Sequence, residues 1–159
     1  MKKIDDLRAA LTAAIPELQR ERGRLRIWIE DGSGSHRQTR TLAFGLTYRV
    51  NLLLVEMETD LALIVLPLFR WLRVNQPDLL KPGAEGFTFD ADILDNRCAD
   101  LLIQLQLTEN VSVTAREDGG WRLDYLPEPD PMFDDEQPLP GLDDMPDLDR
   151  VSLGTLPHP

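Results

Sequence analysis

Ile4, Leu7, Leu11, Ile15 and Leu18 recur at three- and four-residue spacing, with Asp5, Asp6, Arg8 and Thr12 between them. That spacing puts one apolar stripe on a helix. Pro16 is expected to end or kink it, because a proline removes a backbone donor and crowds the preceding turn. After Gly23 the period falls to two. Leu25, Ile27 and Ile29 point one way while Arg24, Arg26, Trp28 and Glu30 point the other, which predicts a strand with one buried face. Asp31-Gly32-Ser33-Gly34-Ser35 reads as a loop.

From Arg40 to Met57 the even positions Leu42, Phe44, Leu46, Tyr48, Val50, Leu52 and Leu54 are all apolar. The odd positions are polar or small through Asn51, then turn apolar at Leu53 and Val55. A strand of that length is far longer than the usual run of about five or six residues. Either Gly45 marks a bulge or bend, or the first half projects from the domain as an arm. The pattern favours a long, bent strand whose second half is buried on both faces. A projecting β arm is a device for meeting a neighbour.

Thr59 or Asp60 then caps a helix running to about Asn75. Its residues are apolar nearly all round, broken by Arg70 and Arg73, so it is either central in its domain or covered by a partner. Pro67 is tolerable if the regular helix begins near Val65, and otherwise kinks it. Alternation resumes in Phe87, Phe89, Ala91 and Ile93, and again in Leu101, Ile103, Leu105 and Leu107. Asp95-Asn96 makes the turn between those two strands. Val111, Val113 and Ala115 enter Asp118-Gly119-Gly120 and Trp121, Leu123 and Tyr125 leave it, which predicts a short hairpin.

Composition changes the picture at Pro127. Residues 127–159 hold eight prolines, nine acids and a single basic residue, Arg150, for a net charge of −8. The whole chain carries −11, so residues 1–126 carry only −3, an ordinary balance for a folded domain. The segment from Pro127 has too few apolar residues to offset chain entropy. The expected organisation is therefore a 1–126 α+β domain and a 127–159 acidic Pro-rich tail, flexible or ordered by a partner. Neither half is basic, which speaks against specific nucleic-acid binding. The longest apolar run, Leu61 to Phe69, is too short for a membrane span, and no signal-peptide pattern opens the chain. Cys98 is the only cysteine, so no intrachain disulfide forms and a reducing compartment suits the chain.

Candidate chemistry is sparse. His36 and His158 are the only histidines, and no His/Cys cluster has metal-ligand spacing. Cys98 reads as a buried small hydrophobe rather than a nucleophile. Asp90 and Asp92 share a strand face, a spacing that binds divalent ions in some nucleases, but no lysine, histidine or second acidic motif accompanies them. Gly32-Ser33-Gly34-Ser35 lacks the lysine and following helix of a phosphate loop. The run from Asp143 to Asp149 lacks the glycine and closing glutamate of a calcium loop. No catalytic residue, cofactor or metal is expected. Trp71 and Trp121 belong to apolar sets and read as core. Trp28, opposite the buried face of its strand, is either an interface anchor or is covered by the first helix or the tail.

Several blocks resemble, in order, the tail completion protein R family of temperate contractile-tailed phages. They are the run from Met1 to Leu11, Pro16-Glu17-Leu18, Arg24 to Ile29, Tyr48 to Leu53, Pro67 to Leu80, Phe89 to Asn96, Asp100 to Glu109, and Tyr125 to Pro129. The match covers about residues 1–130. It implies a structural virion assembly protein that completes or terminates the phage tail and prepares it for head–tail joining. The implied location is the tail end near the neck, with assembly in the host cytoplasm. By similarity to tail terminators, the expected fold is α+β: a mostly antiparallel sheet packed by two helices, with the long bent strand or projecting β arm. The expected partners are further copies in a ring, a hexamer, together with tail tube, sheath and neck proteins, and no membrane. The candidate interface residues are Trp28, Phe44, Leu46 and Tyr48. The rival reading is an acidic regulatory or DNA-mimic protein that binds a host partner through its tail.

Overall fold

A computed structural model describes residues 1–129 apart from residues 39 and 96, and all structural statements below are of those residues. The acidic tail lies outside them from residue 130 on. Helix α1 spans Lys2–Ala14 and α2 spans Pro16–Arg20, so Pro16 ends one helix and occupies the first turn of the next, where its missing N–H costs nothing. Strands β1 (Leu25–His36) and β2 (Phe44–Met57) follow, then α3 (Leu61–Asn75), β3 (Thr88–Ile93), β4 (Ala99–Ala115) and β5 (Trp121–Tyr125). The architecture is α+β.

Asp60 caps α3, its carboxylate accepting from the Ala62 N–H at 2.8 Å. Pro67 sits inside this helix and is itself buried. Among the described residues no helix is long and apolar enough to cross a membrane. Glu17 ties α2 to the connection before α3. Its carboxylate accepts from the backbone N–H groups of Glu58 (3.1 Å) and Thr59 (2.7 Å) and from the Thr59 hydroxyl.

The sheet is antiparallel, ordered β1-β2-β4-β3, with β5 also pairing β4. Strand β4 is shared lengthwise. Residues 99–104 pair with β3, whereas residues 111–115 pair with β5. In the gap between them the Gln76 side-chain carbonyl accepts from the Thr108 N–H at 3.0 Å, a side chain standing in for a strand.

One face of the sheet is packed by the helices. The register Leu25↔Leu54, Ile27↔Leu52 and Ile29↔Val50 aligns β1 with β2, and Val50↔Leu105, Leu52↔Ile103 and Leu54↔Leu101 align β2 with β4. These rows meet Leu7, Leu11, Ile15 and Leu18 of the first two helices and Ile64, Leu68 and Leu72 of α3 in one core. Burying each such side chain contributes about 1.5–3 kcal/mol.

Four local expectations give way. Asp31 to Ser35 is not a loop: it continues β1, because Ser33↔Thr47, Gly34↔Leu46 and Ser35↔Gly45 pair it with β2, and the partner supplies what the small side chains cannot. The irregularities do not fall at Gly45. They fall between Glu30 and Ser33, with Asp31 at φ 51°, and between Leu54 and Met57, with Glu56 at φ 53°. The two apolar runs 101–107 and 111–115 form one strand, not two, since nothing between them breaks the ladder to β2. Strand β2 begins at Phe44 rather than near Arg40, and its first half projects with β1 and β4 on either side.

Candidate assembly interface

Helical cover runs out toward the outer end of the sheet, where core-side positions of β4 stay buried only as far as Val111. Beyond Tyr48 and Leu107 the ends of β1, β2 and β4 run on with β5 as a four-stranded extension. Residues directly opposite one another share a face. The rows His36↔Phe44↔Val111↔Tyr125, Val113↔Leu123 and Ala115↔Trp121 therefore continue the core side of the sheet outward. The helices reach as far as Tyr125, which lines a cavity with Lys3 and Asp6 of α1 and Val74 of α3, and Val111 is buried; the cover ends beyond that row. Trp121 is 56 % exposed and Leu123 55 %, with Tyr125 exposed beside them.

Trp121 was expected in the core. Its strand does alternate, but the layer that would bury it is absent from this subunit, so the ring stands in solvent. Trp71 is buried, as its place in the greasy helix predicts. A contiguous bare apolar face of this kind is what a partner covers.

Of the candidate interface residues, Phe44 and Leu46 lie half-buried on this bare extension. Gly34 opposes Leu46, and Gly32 lies beside Tyr48, so β1 contributes no side chains there and leaves a trough at the sheet edge. Tyr48 is sealed inside its own subunit and supports the surface from beneath. Trp28 is partly exposed, but on the opposite face, in the row Trp28↔Asn51↔Gln104↔Thr88; its indole N–H donates to Glu30 at 3.1 Å. The structure thus groups Phe44 and Leu46 and separates Trp28 from them. The sequence signal for the missed residues was the alternation of Trp121, Leu123 and Tyr125, which shows a shared face but not whether a layer covers it.

A buried polar cluster marks the junction between the covered and bare halves. The Lys3 ammonium donates to Gln76 Oε1 at 2.9 Å and pairs with Glu128 at 2.7 Å, while the Lys3 backbone N–H donates to Glu109 at 2.8 Å. Tyr48 and Glu109 face each other here without meeting hydrogen-bond geometry. Burial, and then the Glu109 carboxylate, push the Tyr48 phenol well above its ordinary value. The cluster fastens the start of the chain to Glu128.

Among the described residues the remaining candidates show no assembled chemistry; His158 and the run from Asp143 to Asp149 lie outside them. Asp90 and Asp92 are both exposed on β3. Asp95 closes the β3–β4 turn by accepting from the N–H groups of Arg97 (2.7 Å) and Cys98 (2.8 Å), which hold its carboxyl below the usual range. Cys98 is half-buried rather than fully buried. Burial, followed by the Asp95, Glu58 and Glu56 carboxylates, raises its thiol, opposite to the shift that activates a nucleophile. Among the described residues no group of three His, Cys, Asp or Glu side chains could hold a metal ion.

Residues 1–129 match the family model described as P2 phage tail completion protein R. The chain is also similar to tail completion protein R of Escherichia phage P2, with 36 % identity over 134 residues, covering 82 % of this chain and 86 % of that protein. No solved structure matches.

Proposed function

The chain belongs to the P2 phage tail completion protein R family, a family of structural tail proteins, and from that premise we propose that it acts as a ring that finishes the tail end. A role in tail assembly follows from family membership. The rival reading as an acidic regulator has no support from it.

The ring is supported by one observation above all: the sheet ends in two free edges that differ. Strand β1 bounds one side, and β3 and β5 bound the other. An exposed strand edge presents unpaired backbone groups and invites pairing. Because the two edges are unlike, pairing them joins copies head to tail, and a head-to-tail contact closes into a ring when its rotation permits. The bare face of Trp121, Leu123 and Tyr125 lies at one edge and the trough of Gly32 and Gly34 at the other, giving a knob and a hollow for the same contact. Six copies is the expected number, by similarity to tail terminators. In this role the protein is no enzyme. Its partners are tail tube, sheath and neck proteins, and it sits in the virion at the neck end of the tail, ready for head–tail joining.

Light scattering on the purified protein tests the ring and should give a mass near six chains. A monomer at concentrations well above micromolar would overturn it. Phage lacking the protein should accumulate heads and unjoined tails; normal infectious particles would remove the completion role altogether.

A further inference from the structure

Residues 32–55 contain no acid and three arginines, Arg37, Arg40 and Arg49, in a chain whose net charge is −11. Arg49 is paired with Asp31 at 2.9 Å. Arg37 and Arg40 lie exposed in the β1–β2 turn, next to a cavity of about 360 Å³ at the outer end of the sheet. Its lining includes Ser35, Arg37, Phe44, Gly45, Asn110 and Leu126. Gly45 keeps its floor open. A Cβ there would come within 3.0 Å of the Ser35 hydroxyl and 3.2 Å of the Asn110 amide oxygen. The cavity therefore offers an apolar wall beside a guanidinium.

We propose that the acidic C-terminal segment of the same chain, residues 130–159, folds back into this cavity as a strap. Three observations select this occupant. The segment carries eight acids and one arginine, a net −7, which complements the longest acid-free stretch of the body. It also repeats an apolar residue followed by aspartate at Phe133-Asp134, Leu142-Asp143 and Leu148-Asp149, the pairing that an apolar wall beside an arginine accepts.

The third observation is where the segment begins. Leu126 itself lines the cavity, its N–H donating to the Asn110 carbonyl at 2.8 Å, and Glu128 is held by Lys3 two residues later. A segment tethered so close reaches an effective concentration in the millimolar range, far above that of a separate copy at micromolar protein. The tether decides for the chain's own segment over another's. This strap does not depend on the ring.

The test uses the full chain with a photo-cross-linking benzoylphenylalanine in place of Ala43, which lines the cavity, or of Gln38, which is exposed in the same turn and spares the packing. Isotopically light and heavy protein are mixed before irradiation. Cross-links should run from position 43 or 38 into residues 130–159 within one isotopic form. Their yield should fall roughly five-fold in Arg37→Glu with Arg40→Glu, as for two solvent-exposed charge pairs. Absence of such links at both positions, links only into residues 1–129, light–heavy links, or a yield indifferent to the charge reversal would each overturn the strap. Mass measured on the same samples reports the ring separately.

Discussion

The inner and outer halves of one sheet obey the same alternation and meet opposite fates. On the inner half Leu52, Leu54, Ile103 and Leu107 are completely or almost completely buried because α1 and α3 lie over them. On the outer half Trp121 and Leu123 occupy equivalent positions on the same side and stay more than half exposed. Sequence periodicity measures which side chains share a face; it does not measure whether a second layer exists. The contrast teaches that a strand's apolar side can be written for a partner outside the subunit as readily as for a helix within it.

The sharpest way to break the comparison is to truncate one residue in each half. Leu52→Ala should destabilise the fold by about 2–5 kcal/mol in chemical denaturation, since the surrounding core cannot close over the cavity. Leu123→Ala should move the same measurement by less than about 0.5 kcal/mol. Equal losses at both sites would mean that the outer face is packed within the subunit.

The junction between the halves comes next. A chain ending at Leu126 loses Glu128 and leaves the Lys3 ammonium buried against Gln76 alone, at a cost of about 3–5 kcal/mol for breaking a buried pair. A chain ending at Pro129 keeps this pair and should lose at most about 1 kcal/mol, the contribution of a weakly docked strap. Identical midpoints for the two truncations would place the domain boundary at 126, where composition alone puts it.

On the outer half, Trp121→Asp with Leu123→Asp should abolish the oligomer in light scattering while leaving the thermal midpoint of the subunit within a few degrees. A ring that survives this substitution would exclude that face from the contact.

Tyr48 sharpens the comparison through pH. Its phenol is raised in the fold, so the unfolded chain releases that proton first, near the ordinary value of about 10. Stability is therefore full below that value and is lost as pH rises above it. Tyr48→Phe should remove this alkaline loss without harm at neutral pH, because the hydroxyl makes no hydrogen bond. The smallest effect belongs to Asp90→Ala with Asp92→Ala. Both carboxylates are solvated on β3, and stability should change by under about 0.5 kcal/mol, with particle assembly intact.

Local chemistry was legible where neighbours in the chain settle it. The stripe from Ile4 to Leu18, the proline break at Pro16, the Asp60 cap and the alternation in β2 and β4 depend on backbone geometry within a few residues, and the chain states them directly. The ordered blocks from Met1 to Pro129 likewise carried the family. What depends on residues far apart was decided only in three dimensions. Asp31 to Ser35 has the composition of a loop and becomes strand because β2 lies alongside to bond it. Lys3, ordinary at the start of a helix, becomes a buried ion-pair partner because Glu128 arrives from the other end of the body. Trp121 has the pattern of a core residue and becomes surface because no helix reaches it. Period is a property of the backbone, which the sequence carries; burial is a property of what packs above it, which only the tertiary structure supplies.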